Sequence, residues 1–354
     1  MRVILDHRLF RSPHGSDLAE LLHNANRLPH QLLVDGDAAG QRAKDSWVAE
    51  FPHDVRTRFE RIFARGRSPE AVRRPPSVTL EVSNEKSESI EASAPDRLIA
   101  CAHLERAKDL VREPLQLWLE NDRNDAAFLR TVAPAGQYRE WLAGAAARRW
   151  IEYRHGGGSD LGPKLRALDP WVRIRSWAMC DSDNWEPNVV SRQVETFRRA
   201  SDALASTTGP RRPAVPLQVL RRRAIENYLP LPGLRYWAND RRGTAREQRL
   251  KRTEFVDGVG RLDAHSTPFN LRHYYHMEKG FGAEPAAIPA CYDPFRAEPA
   301  LASGIGSSIK RIYLDNLTVQ EHAGHGWLDD AWLAQDTDLR DEAIGIIASI
   351  QRRI

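Results

Sequence analysis

The sequence predicts an α/β protein: a mostly parallel sheet flanked by helices in the middle of the chain, preceded by an α/β or α+β module and followed by a helical C-terminal region. Three observations carry this. Between residues 115 and 220, short apolar runs alternate with helical stretches, the pattern of βαβ units. Those runs end in polar or acidic residues, as strands do where a parallel sheet presents its carboxyl ends. Beyond residue 230 no strand-like run recurs. The implied segments are 1–113, 114–230 and 231–354, in a chain of 354 residues.

In the first segment MRVIL, HQLLVD and SVTLEV read as strands and GSDLAELLHNA and DVRTRFERIFA as helices. DRLIACAHLERAKDLV reads as one helix, with Leu98, Ile99, Ala102, Leu110 and Val111 as its apolar positions. The stretches 64–78 and 83–96, rich in Pro, Ser and charge, read as loops or linkers. LQLWLE (115–120) is an apolar run closing on a carboxylate, and Asn124 or Asp125 is placed to cap the next helix. QYREWLAGAAARRW is helical. WIEYRHGGG is a strand entering a glycine turn, SDLGPKLRAL a helix, and VRIRSWAMC (172–180) a buried strand entering Asp181-Ser182-Asp183. An amphipathic helix follows over 189–204, PLQVL (216–220) is the last strand, and it runs into RRRAIENYLP. An apolar-periodic helix closes the chain at 338–352.

Composition excludes several classes. With 41% hydrophobic and 28% charged residues, and 22 Gly and 22 Pro, the chain is neither collagen-like nor broadly disordered. Its apolar stretches fall short of the roughly 20 residues that span a bilayer, and the four-residue apolar run at the N-terminus is too short for a signal peptide. The expected setting is cytoplasmic, with no membrane partner. Three widely spaced cysteines, Cys101, Cys180 and Cys291, suggest neither a disulfide framework nor a zinc knuckle. A formal charge of +4 does not by itself indicate a polyanion partner. Its distribution says more: lysine stands at only seven positions, and the arginines cluster as Arg148-Arg149, Arg211-Arg212, Arg221-Arg222-Arg223 and Arg241-Arg242. Arginine forks grip phosphate bidentately, which favours nucleic acid. A GC-rich genome that writes Arg for Lys on solvated faces accounts for the same composition.

A parallel sheet that delivers Glu120 from one strand end and Asp181 and Asp183 from another offers the oxygen ligands that Mg²⁺ or Mn²⁺ prefers. Converging carboxylates in an apolar sheet repel one another unless a cation sits among them. The bland alternative is a polar connection in which Asp-Ser-Asp-Asn caps the next helix.

These motifs have company. LWLENDRNDAAFL, a glycine turn, and WAMCDSD 61 positions after Glu120 together resemble the TOPRIM domain of topoisomerases, primases and the OLD family of nucleases. Within that superfamily, RHGGG followed by RRRAIENYL is most similar to the OLD-like nucleases of bacterial antiphage defence. The resemblance covers residues 114–230, touches 270–282, and leaves the first 113 residues unassigned. It implies that Glu120 is the TOPRIM glutamate, a metal ligand or general base, and that Asp181 and Asp183 are the DxD metal ligands. It adds Glu226 as a further metal-site carboxylate and Lys279, in HYYHMEKGFG, as the lysine that offsets charge on the phosphate. Asn121 stands where the family commonly has Gly after the glutamate; Asn tolerates left-handed backbone angles better than most residues.

The implied function is a metal-dependent endonuclease, cutting DNA or RNA as a defence effector. With no GxxxxGK[ST] string in the chain, the ATPase of OLD-type systems would be a separate chain, as would any sensor subunit. A homo-oligomer is also compatible. Arg221, Arg222 and Arg223 are the nucleic-acid-binding candidates, with Arg221 and Arg223 on one side of an extended chain and Arg222 on the other. The rival reading is a non-catalytic nucleic-acid-binding or regulatory subunit on the same fold.

Four smaller features are weighed beside these. His155 with Gly156, Gly157 and Gly158 reads as a tight turn next to the metal site. His265, His273 and His276 read as solvated or phosphate-contacting. Tyr236, Trp237, Tyr274, Tyr275 and Phe281 either stack bases or pack a core. Asp6, Asp35, Asp37 and Asp96 loosely suggest a PIN-type nuclease, with substrate gripping or partner binding as alternatives for that segment.

Overall fold

The computed structural model describes residues 1–354 apart from 12, 14, 37, 70–74, 95–96, 135–136, 203–212, 241–244, 266–268, 283–287, 324–327 and 329–334. Asp37, Asp96 and the pairs Arg211-Arg212 and Arg241-Arg242 therefore lie outside the described residues.

Two sheets are formed. The first contains β1 (Arg2–Leu5), β2 (Gln31–Val34), β3 (Val78–Val82), β4 (Ser89–Ala94) and β5 (Arg97–Ala102) in the order β2-β1-β3-β5-β4, parallel except for β4 against β5. The second contains β6 (Leu115–Leu119), β7 (Ile151–His155), β8 (Ser176–Cys180) and β9 (Leu217–Val219) in the order β7-β6-β8-β9, wholly parallel. The expected α/β class with mostly parallel sheets flanked by helices is what the chain builds.

Three elements of the first segment differ from expectation. Arg97–Ala102 is a strand, and the helix begins only at Leu104. A short apolar run suits either state; here pairing with β3 and β4 on both sides decides it. Ser89–Ala94, expected as loop, is the antiparallel edge strand, and Ala38–Ala49 is a helix the pattern did not show. In the second segment Pro170–Ile174 is a short helix, so the strand expected over 172–180 starts at Ser176.

The second sheet is buried on both faces, as a parallel sheet with crossovers must be. Alternation sends Leu115, Leu117, Leu119 and Met179 to one core and Trp118, Ala178 and Cys180 to the other. The second core is closed by Leu161 and Leu165 of helix Leu161–Ala167 and by Val194 and Phe197 of helix Arg192–Ser201. The first is larger. It takes in Phe128 and Leu129 of helix Asp122–Val132 and then much of the chain beyond 225, including Tyr228, Trp237, Phe255, Tyr275, Tyr313, Ile346 and Ile350. At about 1.5–3 kcal/mol for each large side chain buried, this shared core ties the helical C-terminal region to the sheet. The N-terminal sheet has its own core, joined at its border by Trp171 and Ile174. Among the described residues no helix is long and apolar enough to cross a membrane.

Candidate metal and phosphate site

β6 and β8 are parallel neighbours in register, Leu119 beside Met179, so Glu120 and Asp181 leave the sheet side by side. The Asp181 backbone N–H donates to Glu120 Oε1 at 3.0 Å. β9 lies on the other flank of β8, and the chain beyond it bends back: the N–H groups of Ser182 and Asp183 donate to the carbonyl of Arg223 at 2.9 and 3.0 Å. This clamp holds Asp183 in a left-handed backbone conformation, φ 54°, which a non-glycine residue adopts only under constraint. The next turn, Ile225–Tyr228, delivers Glu226, buried at 6% exposure. The connections at three strand ends thus bring Glu120, Asp181, Asp183 and Glu226 to one pit of about 140 Å³, completed by Lys279, Lys310, His276 and Arg223.

The glycine turn supports this floor from behind. Gly157 and Gly158 have φ of 81° and 58°, and their N–H groups donate to the Glu120 carbonyl at 3.0 and 3.3 Å. A Cβ on Gly156 would stand 2.6 Å from the Leu119 carbonyl oxygen, so only glycine fits. These donors are used inside the protein, which makes the triplet a turn that fixes Glu120 rather than a phosphate cradle.

The electrostatics are those of crowded carboxylates. Burial, then the charges of Asp183 and Asp125, pushes Glu120 from its ordinary 4.5 up to about 8. Burial followed by Glu120 and Glu226 holds Asp181 well above the carboxylate range, and burial raises Glu226 as well. Lys310 is the opposing charge: its Nζ lies 2.7 Å from Glu278 Oε2, and the field of Glu278, Glu226 and Asp181 raises its pKa against the effect of burial. Burial, with Arg223, Lys279 and Lys310 nearby, lowers His276 to about 3, so this imidazole is neutral at physiological pH.

Two of these residues escaped the sequence reading. Asp125 was expected as a helix cap, but Asn121 is the cap, its side chain accepting from the Asn124 N–H at 3.0 Å. Asp125 sits one turn in and accepts from the Asn121 N–H at 2.9 Å; burial and Glu226 push it up to about 7. It is a fifth carboxylate of the pit's electrostatic cluster. Its position five residues after Glu120 on a helix start was the available signal. Lys310 lies far along the chain on a short helix, and its only signal was rarity. Two of the chain's seven lysines line this pit, in a protein that otherwise writes Arg.

The arginine run is corrected. Residues 221–224 are bends, not extended strand, so alternation does not apply. Arg222 is buried: its guanidinium bonds Asp336 Oδ2 at 2.5 Å and the Asn227 carbonyl at 3.3 Å, and lies 4.9 Å from the Tyr228 ring centre. It holds the fold and faces no cleft. Arg221 is exposed and gives its N–H to Glu342. Only Arg223, set 4.5 Å over the Trp185 ring, lines the pit. Of the aromatics, Trp237, Tyr275 and Phe281 are core residues, while Tyr236 is exposed. His273 is lowered to about 2 by burial beside Arg222 and Arg272. In the first segment Asp6 is taken up by Arg8 and by the Ser83 hydroxyl at 3.0 Å, which fills the strand-end crevice where a PIN-type reading would put substrate.

Among the described residues no three His, Cys, Asp or Glu side chains converge closely enough to hold an ion. By donor chemistry the pit fits a hard divalent cation, since carboxylates crowded enough to retain protons are what such a cation relieves. Closing a coordination sphere requires these side chains to turn toward one another. No family model, curated protein or solved structure matches this chain.

Proposed function

We propose that this chain is a divalent-metal-dependent phosphodiester hydrolase, a TOPRIM-like nuclease that cuts DNA or RNA. One observation carries the reading: connections from three separate strand ends deliver four carboxylates to a single pit, and two of the chain's few lysines join them. Glu120, Asp181, Asp183 and Glu226 would hold Mg²⁺ or Mn²⁺, with Asp125 beside them. The ion, when bound, supplies Lewis-acid activation of phosphate and water. Glu120, whose environment favours its protonated form near neutrality, is suited to exchange a proton with the attacking or leaving oxygen. Lys310 and Lys279 would offset the charge that builds on the phosphate oxygens. Use as an antiphage effector under a separate ATPase or sensor subunit rests on the OLD-like resemblance of the central motifs.

The test is cleavage of labelled DNA and RNA with Mg²⁺ or Mn²⁺ present. Asp181→Asn and Asp183→Asn should lose all detectable cleavage while retaining the wild-type circular dichroism and melting behaviour. Cutting at the wild-type rate by both variants contradicts the assignment. The second reading, a non-catalytic nucleic-acid-binding subunit, is favoured by the lack of a closed ligand set among the described residues; it predicts metal-independent binding and no cleavage at any metal concentration.

A further inference from the structure

A second cavity, about 730 Å³, lies beside the pit, and Asp183, Arg223, His276 and Lys279 line both. It is bounded by the connection that leaves the DxD sequence and by the start of helix Arg192–Ser201. Its walls are of mixed chemistry. Phe197 and Val189 supply apolar surface, Asn184 and Gln193 supply amides, and Arg192 and Lys279 supply charge. Trp185 is also a wall, but a fixed one: it stacks on Phe281 at 6.1 Å and carries Arg223 at 4.5 Å, which pins that guanidinium where the two cavities meet. At the rim Val189 and Val190 are each 45% exposed, rare for valine next to a polar cleft.

We infer that this cavity receives one unpaired nucleotide of the strand being cut, next to the phosphate held at the pit. The inference rests on the nuclease reading above and names its substrate class. The volume lies in the range of small-ligand sites, roughly 300–1,000 Å³, enough for a base and sugar and far too small for a duplex. A base can enter only by leaving its stack, which costs a few kcal/mol and least where the base is already unpaired. An apolar wall with amides placed around it and cations toward the phosphate is the combination that holds a lone base. The preferred substrate is therefore single-stranded DNA or RNA, or an unpaired position within a duplex.

Binding of labelled 12-nucleotide single strands, and of the matching perfect duplex, is measured with Ca²⁺ in place of Mg²⁺ to prevent cleavage. The single strand should bind at least about tenfold tighter, since one stacked base contributes roughly 1–3 kcal/mol. Val189→Glu and Gln193→Ala should each erase most of that preference, while Val190→Glu, an equal charge just outside the cavity lining, should retain it. Replacing one nucleotide at a time by an abasic unit should reveal a single sensitive position. Equal or tighter duplex binding, or single-strand affinity unchanged in both cavity variants, overturns the inference. The two readings fail separately: cleavage that ignores the cavity variants defeats the nucleotide pocket alone, whereas base-dependent binding in a protein that never cuts defeats the nuclease alone.

Discussion

At the scale of single residues, Glu120 is the most informative position. Its carboxyl is raised to about 8, so the folded protein holds this proton more firmly than the unfolded chain does. The sign follows. Stability associated with Glu120 is full below the ordinary carboxylate range and is lost as pH rises from there through about 8. Glu120→Gln keeps the shape and discards the charge. Without divalent metal, the variant should melt at or above the wild-type temperature, and its advantage should grow between pH 6 and pH 8.5. Differential scanning calorimetry of the pair at both pH values checks this; the difference between variants cancels the opposing titration of His273 and His276. The same variant should lose at least about a hundredfold in cleavage rate. Preserved activity with a clear fall in melting temperature would mark Glu120 as a structural partner only.

Arg222 and Arg223 stand next to each other and should behave in opposite ways. Arg222→Ala leaves Asp336 and the Asn227 carbonyl without their partner in a buried setting, a loss of about 2–4 kcal/mol. Arg223→Ala should instead weaken nucleic-acid binding and make its salt dependence shallower, by roughly 0.9 in the log–log slope for one phosphate contact. Chemical denaturation and binding at several salt concentrations separate the two. The sequence showed three equivalent arginines because a run of like residues carries no sign of which one turns inward. That is decided by Asp336 and Trp185, which come from distant parts of the chain.

At the scale of elements, what was legible was what depends on local pattern. The strand ends that carry Glu120 and Asp181 follow from apolar runs broken by a carboxylate, and the glycine turn follows from three glycines after a strand. The turn can be tested on its own: Gly156→Ala puts a Cβ 2.6 Å from the Leu119 carbonyl. This should displace the Glu120 carbonyl anchor, with a loss of more than about 1 kcal/mol in stability and a larger fractional loss in activity. Elements set by partners were not legible. Arg97–Ala102 looks helical until β3 and β4 flank it, and Ser89–Ala94 is too polar to announce itself as an edge strand. Asp125 was misplaced by one helical turn because Asn121, outside the periodic stretch, takes the cap. Lys310 was invisible because its place in the pit is made only by tertiary folding.

At the scale of the whole molecule, the helical C-terminal region is part of the catalytic body. Its apolar residues share one core with β6 and β8, and it contributes His276, Lys279 and Lys310 to the pit. Removing it would expose that core and take away the pit's cations together. The N-terminal sheet, with a separate core and an ion-paired strand-end crevice, contributes nothing to the pit's lining. The central claim is that the joined carboxylates await a divalent cation, and calorimetric titration of Mn²⁺ at pH 8 tests it most directly. The account predicts saturable binding by the wild type with release of protons, and loss of that binding in Asp181→Asn. Proton release is expected because Glu120, Asp125 and Asp181 retain protons without metal. Absence of binding by the wild type, or identical binding by Asp181→Asn, would contradict it.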